Sequence, residues 1–176
     1  MQKMIIVLMG YMASGKSFVG KVLAKKIGFD FIDLDTYIER REGKTINNIF
    51  ESSGEIYFRK IETKYLKEVL DSKTNTVLSL GGGTPCYGNN LSIIKSDPKV
   101  ISFYLNTTIN TIVSRLENEK SKRPLVARFK SKDELQEFIG KHLFERSHFY
   151  NQSNFVIKND SNFIDDIIEG IIVKLF

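Results

Sequence analysis

Residues Gly10-Tyr11-Met12-Ala13-Ser14-Gly15-Lys16-Ser17 place two glycines, a lysine and a serine at the spacing G-x-x-x-x-G-K-[ST], directly after the apolar run Met4 to Met9. A loop of this kind binds phosphate. Gly10 and Gly15 let the backbone curl until successive N–H groups point inward, and the positive end of a following helix faces the same anion. Lys16 has the reach for β- and γ-phosphates, and the Ser17 hydroxyl is the hard oxygen ligand that Mg²⁺ prefers. The alternative is a glycine-rich strand-to-helix turn with no ligand. The placement between a strand and a helix weighs against it.

Three further groups carry chemistry. Asp33 and Asp35 close a short apolar stretch, and on a regular strand two residues this far apart point the same way. One carboxylate could then hold a metal-bound water and the other accept a proton from a substrate hydroxyl. Asp35 could equally cap a helix starting at Thr36. Gly81-Gly82-Gly83 cannot continue a regular element cheaply and suits a place where backbone comes close to a ligand. Arg59, one turn after Glu55, would ordinarily be half of a solvated helical ion pair. Phosphoryl transfer asks for little more than such groups, because it depends on in-line positioning and on neutralising charge at the γ-phosphoryl oxygens.

The elements that must position these groups alternate. Strands are expected over Met4 to Met9, Phe29 to Asp35, Thr76 to Leu80, Lys99 to Leu105 and Phe155 to Lys158. Helices are expected over Phe18 to Ile27, Thr36 to Arg41, Thr45 to Glu51 with Thr45 as its cap, Glu55 to Leu70, Thr108 to Glu117 and Asn162 to Phe176. Ser131-Lys132-Asp133-Glu134 has the spacing of a capping box, so another helix runs from there towards Tyr150. Phe18, Ile56 and Phe163 are among the apolar positions expected to face inward. The stretch Glu119 to Lys132, basic and interrupted by Pro124, reads as a mobile loop. Five strands alternating with helices predict an α/β parallel sheet covered on both faces. Its ligands would sit beyond the carboxyl ends of the strands, where the phosphate loop, the aspartates and the glycine triplet converge.

Composition narrows the setting. The 176 residues fit one domain over 1–176 without a linker, with only 3 prolines and no repeat. No apolar stretch approaches a membrane span, and the start reaches strand-like sequence too soon for a cleavable signal, so a cytoplasmic enzyme is expected. The single cysteine, Cys86, has no internal disulfide partner, and His142 and His148 alone make no zinc cluster. Both histidines read as ordinary surface or boundary residues. The net charge of +5 is spread over many helices and does not call for nucleic acid.

Taken together, these segments resemble the shikimate kinase family over essentially the whole chain. The resemblance rests on Gly10 to Ser17, Asp33-Leu34-Asp35, Ile49-Phe50 with Gly54-Glu55, Phe58-Arg59-Lys60-Ile61-Glu62, Gly81-Gly82-Gly83, Arg123-Pro124-Leu125, and Glu145-Arg146 with Tyr150. It implies a three-layer P-loop kinase fold, with a five-stranded parallel sheet of order 2-3-1-4-5, helices on both faces and a lid at about 119–131. The substrate-binding region would span about 33–62. It implies ATP-dependent phosphorylation of the 3-hydroxyl of shikimate in aromatic amino-acid biosynthesis, with Mg²⁺, by a monomer without nucleic-acid or membrane partners.

By position, Ala13, Ser14, Gly15, Lys16, Ser17 and Phe18 would hold the nucleotide, with Arg115 beside the adenine and Arg123 closing over the phosphates. Ser17 and Asp33 would serve the metal, and Lys16, Asp35 and Arg123 would be catalytic. Asp35, Arg59, Glu62, Gly82, Arg146, Phe50 and Phe58 would bind the substrate, the two arginines through its carboxylate. The chain departs from the family pattern at Ala13, where a third loop glycine is usual, and at Ser79, where a threonine often leads into the glycines. No family residue stands out in the turn from Asn159 to Asn162. Rival readings are a gluconate kinase, a nucleoside-monophosphate kinase, a nucleotide-gated switch and an RNA-binding module.

Overall fold

The computed structural model describes residues 3–117, 129, 131–160 and 163–176. Its strands are β1 (Ile5–Met9), β2 (Asp30–Asp33), β3 (Thr76–Ser79), β4 (Val100–Asn106) and β5 (Phe155–Lys158). They form one sheet in the order β2-β3-β1-β4-β5, with every neighbouring pair parallel. The helices are α1 (Lys16–Ile27), α2 (Leu34–Glu42), α3 (Ile46–Leu70), α4 (Asn90–Ser96), α5 (Ile109–Glu117), α6 (Lys132–Tyr150) and α7 (Ile164–Leu175).

The central strand explains the layering. All five residues of β1 are fully buried, and because alternate side chains leave opposite faces of a strand, β1 feeds two cores. Ile5, Val7 and Met9 pack with residues of α2 to α6, among them Leu34, Leu66, Ile112 and Ile139. Ile6 and Leu8 pack with Val19 and Leu23 of α1 and with Ile168 and Ile171 of α7. Burial of each such side chain contributes about 1.5–3 kcal/mol. The sheet is thereby fixed in the middle, and the carboxyl end of β1 delivers the phosphate loop from a rigid base.

Several local expectations are corrected. Strand β2 stops at Asp33, and Leu34, fully buried, opens α2. Asp33, not Asp35, is the helix cap: its Oδ1 accepts from Thr36 N at 3.2 Å. Asp35 therefore rides on the first turn of a helix, and the two carboxylates are not related by strand alternation. Helix α3 joins the two expected helices across Gly54, whose φ of 76° and ψ of 174° break the regular path. Its buried stripe runs through Phe58, Ile61, Glu62, Tyr65, Leu66 and Val69, which leaves Ile56 off the stripe and 77% exposed. Phe18 and Phe163 also face outward. A 3-10 turn (Thr84–Cys86) and helix α4 follow the glycine triplet, where sequence gave no element. Thr45 and Ser131 cap their helices as expected, accepting from Asn48 N and Glu134 N.

Gly20 shows how tightly α1 lies on the sheet. A Cβ there would come within 2.5 Å of Phe31 Cε2 and 3.3 Å of Leu8 Cδ1. The variant Gly20→Val is expected to lose about 2 kcal/mol of stability through overpacking. Urea unfolding checks this: the midpoint should fall while the slope stays the same.

Candidate active site

The cleft at the carboxyl ends of the strands has a volume of about 530 Å³. Its walls include Ala13 to Phe18 of the phosphate loop, Asp33, Asp35, Gly81, Gly82, Arg115 and Asn159. Gly15 adopts φ 84° as the cap of α1, a conformation that favours glycine, and the first turn of α1 carries no acidic residue to oppose an anion. Lys16 is almost fully buried, and its Nζ donates to Gly10 O at 3.0 Å and Tyr11 O at 2.8 Å. Ala13 takes φ 58°, the left-handed conformation that the usual glycine would adopt freely. It costs an alanine about 1–2 kcal/mol.

Ser17 Oγ donates to Asp33 Oδ2 at 2.5 Å and lies 3.5 Å from Ser79 Oγ. This is a small set of hard oxygen atoms. No group of three or more His, Cys, Asp or Glu side chains among the described residues makes a metal cage. The donors fit Mg²⁺, which keeps several waters and completes its shell with phosphate oxygens.

Across the cleft stands Asp35, pushed up to about 6, first by burial and then by the neighbouring Asp33 and Glu62 carboxylates, with Lys16 opposing. Part of its surface stays open to the cleft. The glycine triplet makes the room. A Cβ on Gly81 would lie 2.9 Å from Asp35 Oδ1, and one on Gly82 would lie 3.3 Å from Met12 N. One on Gly83 would lie 3.1 Å from both terminal nitrogens of Arg59.

Arg59 is bound in place. Its guanidinium bridges Glu62 at 2.8 Å and Glu55 at 3.3 Å, and its Cζ lies 3.7 Å from the centre of the Tyr87 ring. Burial opposes its charge, but the Glu62 carboxylate outweighs this and Arg59 is held above its ordinary value. Glu62 is fully buried and accepts from Thr84 Oγ1 at 2.6 Å. Arg146 lies on α6, its guanidinium 6.0 Å from the Tyr11 ring centre. Burial pushes the Cys86 thiol up, with the charges of Arg146 and Arg59 opposing. Phe58 is buried and Phe50 packs on it with ring centres 4.6 Å apart. Arg59 and Glu62 thus border the glycine segment, and these two, Arg146, Phe50 and Phe58 lie outside the wall of the main cleft. Arg123 lies outside the described residues, as does nearly all of the lid expected at 119–131.

Sequence reasoning did not single out Asn159, Tyr87 or His142, while Arg115, which it did name, stands beside Asn159. Asn159 is buried, and its Nδ2 donates to Ser14 O and, at 3.1 Å, to Thr107 Oγ1. Arg115 donates to Ala13 O at 3.1 Å, so these two residues brace the phosphate loop from outside. Tyr87 stacks on Arg59, and His142 meets Tyr11 at 3.0 Å instead of facing solvent. A single asparagine, tyrosine or histidine carries no spacing signal that could have singled it out.

A phosphate loop at the head of a five-stranded parallel sheet, with Asp35 in the same cleft, is the arrangement of a P-loop kinase. The sequence model of the shikimate kinase family matches residues 12–175. A shikimate kinase of Flavobacterium psychrophilum is 47% identical over 171 residues, which is 97% of this chain and 98% of that one. The crystal structure of shikimate kinase from Bacteroides thetaiotaomicron superposes with a TM-score of 0.90 at 35% identity, covering 98% of both chains. Shikimate kinase from Acinetobacter baumannii in complex with shikimate gives 0.85 at 29% identity, covering 99% of this chain and 93% of that one. The chain belongs to the shikimate kinase family and is an ATP-dependent kinase of shikimate.

The raised Asp35 value has a consequence for stability. The folded state binds this proton more tightly than the unfolded chain, so the native carboxylate is penalised above the folded value of about 6. The penalty shrinks as pH falls through 6 and is gone below the ordinary value of 3.8. Asp35→Asn is therefore expected to stabilise the protein at pH 7.5 by on the order of 2 kcal/mol. Urea midpoints across pH check it: the advantage over the parent should fade between pH 6 and 4, and an advantage independent of pH would contradict the assignment.

Proposed function

We propose that the chain transfers the γ-phosphoryl group of ATP to the 3-hydroxyl of shikimate, with Asp35 as the base. The observation that carries this reading is the placement of Asp35, with a pKa of about 6, in the same cleft as Lys16 and Ser17. The hydroxyl oxygen forms the new bond to the γ-phosphorus, the bond from phosphorus to the β–γ bridging oxygen breaks, and ADP leaves. The hydroxyl proton passes to the Asp35 carboxylate. A base with this value is ionised at neutral pH yet basic enough to take a proton as the hydroxyl attacks.

Lys16 would exchange its carbonyl partners for β- and γ-phosphate oxygens, and the N–H groups opening α1 would cradle the same phosphates. Ser17 and Asp33 would hold Mg²⁺, the latter through water. When bound, the ion neutralises charge on the β- and γ-oxygens. Phe18 and Arg115 would lie along the nucleotide, and the resemblance assigns Arg123 to closure over the phosphates. Arg59 and Arg146 would grip the acceptor carboxylate, Glu62 and Tyr87 holding Arg59 in plane. The Gly82 backbone would meet a ring hydroxyl, and Phe50 and Phe58 would support the ring side. The reading places the enzyme in the cytoplasm as a monomer; no helix among the described residues is long and apolar enough to cross a membrane.

ADP release from Mg-ATP should be stimulated by shikimate and not by gluconate or AMP; stimulation by either of the others would displace this reading. Arg59→Lys is expected to raise KM for shikimate about tenfold while KM for ATP barely moves, because an ammonium cannot make the bidentate contact. Tyr87→Ala should shift the same constant in the same direction by a smaller factor. Equal changes for both substrates would remove the carboxylate role from Arg59.

A further inference from the structure

Helix α6 presents His142, Arg146 and Tyr150 at successive turns of one face. The outer two are tied to different loops. The Tyr11 hydroxyl of the phosphate loop is 3.0 Å from His142 Nδ1, with the rings edge to face at 5.6 Å. The Tyr150 hydroxyl donates to Gly82 O at 2.5 Å. Arg146 stands between these ties, its guanidinium near the Tyr11 ring and beside the Tyr150 hydroxyl.

The connections close on themselves. Gly82 approaches the phosphate loop so nearly that a Cβ would lie 3.3 Å from Met12 N. A circuit therefore runs from Tyr11 through His142 and α6 to Tyr150, then to Gly82 and back to the loop beside Tyr11. Both tyrosines are buried, at 1% and 0% exposure. Packing alone would be served by phenylalanine, since a buried hydroxyl carries a desolvation cost that only a hydrogen bond offsets. The two hydroxyls therefore fix geometry. Burial also raises both phenols, Tyr11 to about 12, so they stay neutral and able to donate.

We propose that Tyr11 and Tyr150 are positioning residues, which hold Arg146 and the Gly82 peptide at a set separation so that an acceptor spanning them meets the phosphate loop in one register. This rests on the reading of Arg146 and Gly82 as acceptor-binding groups. An acid held at its carboxylate by Arg146 and at a hydroxyl by Gly82 is gauged by the distance between them. Releasing either tie lets that distance vary, and small misplacements of a reacting group cost rate steeply.

The test is steady-state kinetics with Mg-ATP and shikimate on Tyr11→Phe, Tyr150→Phe, His142→Gln, His142→Leu and Arg146→Lys, with a thermal midpoint for each. Both phenylalanine variants should fold and raise KM for shikimate about tenfold, with KM for ATP within about twofold. His142→Gln keeps a partner for the Tyr11 hydroxyl and should restore most of the parent value, whereas His142→Leu should behave like Tyr11→Phe. If the phenylalanine variants lower the thermal midpoint but leave the KM for shikimate unchanged, the hydroxyls are structural only and the inference is overturned. That result beside a raised KM in Arg146→Lys would spare the acceptor reading. An unchanged KM in Arg146→Lys would overturn that reading and this inference with it. Should Tyr150→Phe fail to fold, Tyr11→Phe with the His142 pair decides the matter alone.

Discussion

The site depends on a stretch of backbone without side chains passing between two sets of charged groups. Gly81 lies against Asp35, Gly82 against the phosphate loop at Met12, and Gly83 against the Arg59 guanidinium. Any Cβ in this segment would press on a different functional group. The phosphate loop and the Asp35 and Arg59 groups thus meet the same three residues of bare backbone. Side chains reaching in from α2 and α3 come close to the phosphate loop at the end of β1 because nothing projects between them. The triplet lies outside the sheet ladder; Gly81 O and Gly83 O accept from Thr84 N and Cys86 N of the following turn, and Tyr150 donates to Gly82 O.

The acceptor side stores charge in a specific way. Glu62 is buried at 1% exposure and is satisfied by Arg59 and by Thr84. Removing Arg59 would strand a buried carboxylate, a loss of about 3–5 kcal/mol for a pair of this kind. Arg59 is therefore locked by the requirements of Glu62 as much as by its own. Tyr87 covers one face of its guanidinium, which holds the planar fork in a fixed orientation. Asp35 has the opposite history: it faces Asp33 and Glu62 and receives only partial compensation from Lys16. Burial and these carboxylates together raise its pKa, whereas Glu62 is satisfied as a structural anion.

The parts of this arrangement that were legible in the sequence are those with a repeat or a fixed spacing. The apolar run of β1, the loop from Gly10 to Ser17 and the glycine triplet gave the sheet, its order of elements and the position of the cleft. The capping spacings at Thr45 and Ser131 were read correctly because a cap is a local contact. Asp35 was misplaced onto a strand because the switch at Leu34 is decided by burial of that side chain under α3, a tertiary effect invisible to alternation. Tyr87, Asn159 and His142 were silent for the same reason. Each works through contacts with residues far along the chain, and no local pattern announces such contacts.

The phosphate loop combines rigidity with a group that must change partners. Lys16 holds the loop from within by donating to Gly10 O and Tyr11 O, while Asn159 and Arg115 hold Ser14 O and Ala13 O from outside. A polyphosphate offers a lysine stronger, charged acceptors than carbonyl oxygens, and the outer braces keep the loop curled whichever partners the ammonium takes. The left-handed Ala13 fits this division of labour. A residue that resists its own conformation persists only where its surroundings impose it, and the contact from Arg115 to its carbonyl is part of that imposition. The loop is then shaped before the nucleotide binds. The free energy of phosphate contact is then available for orienting the nucleotide, with little spent on ordering backbone.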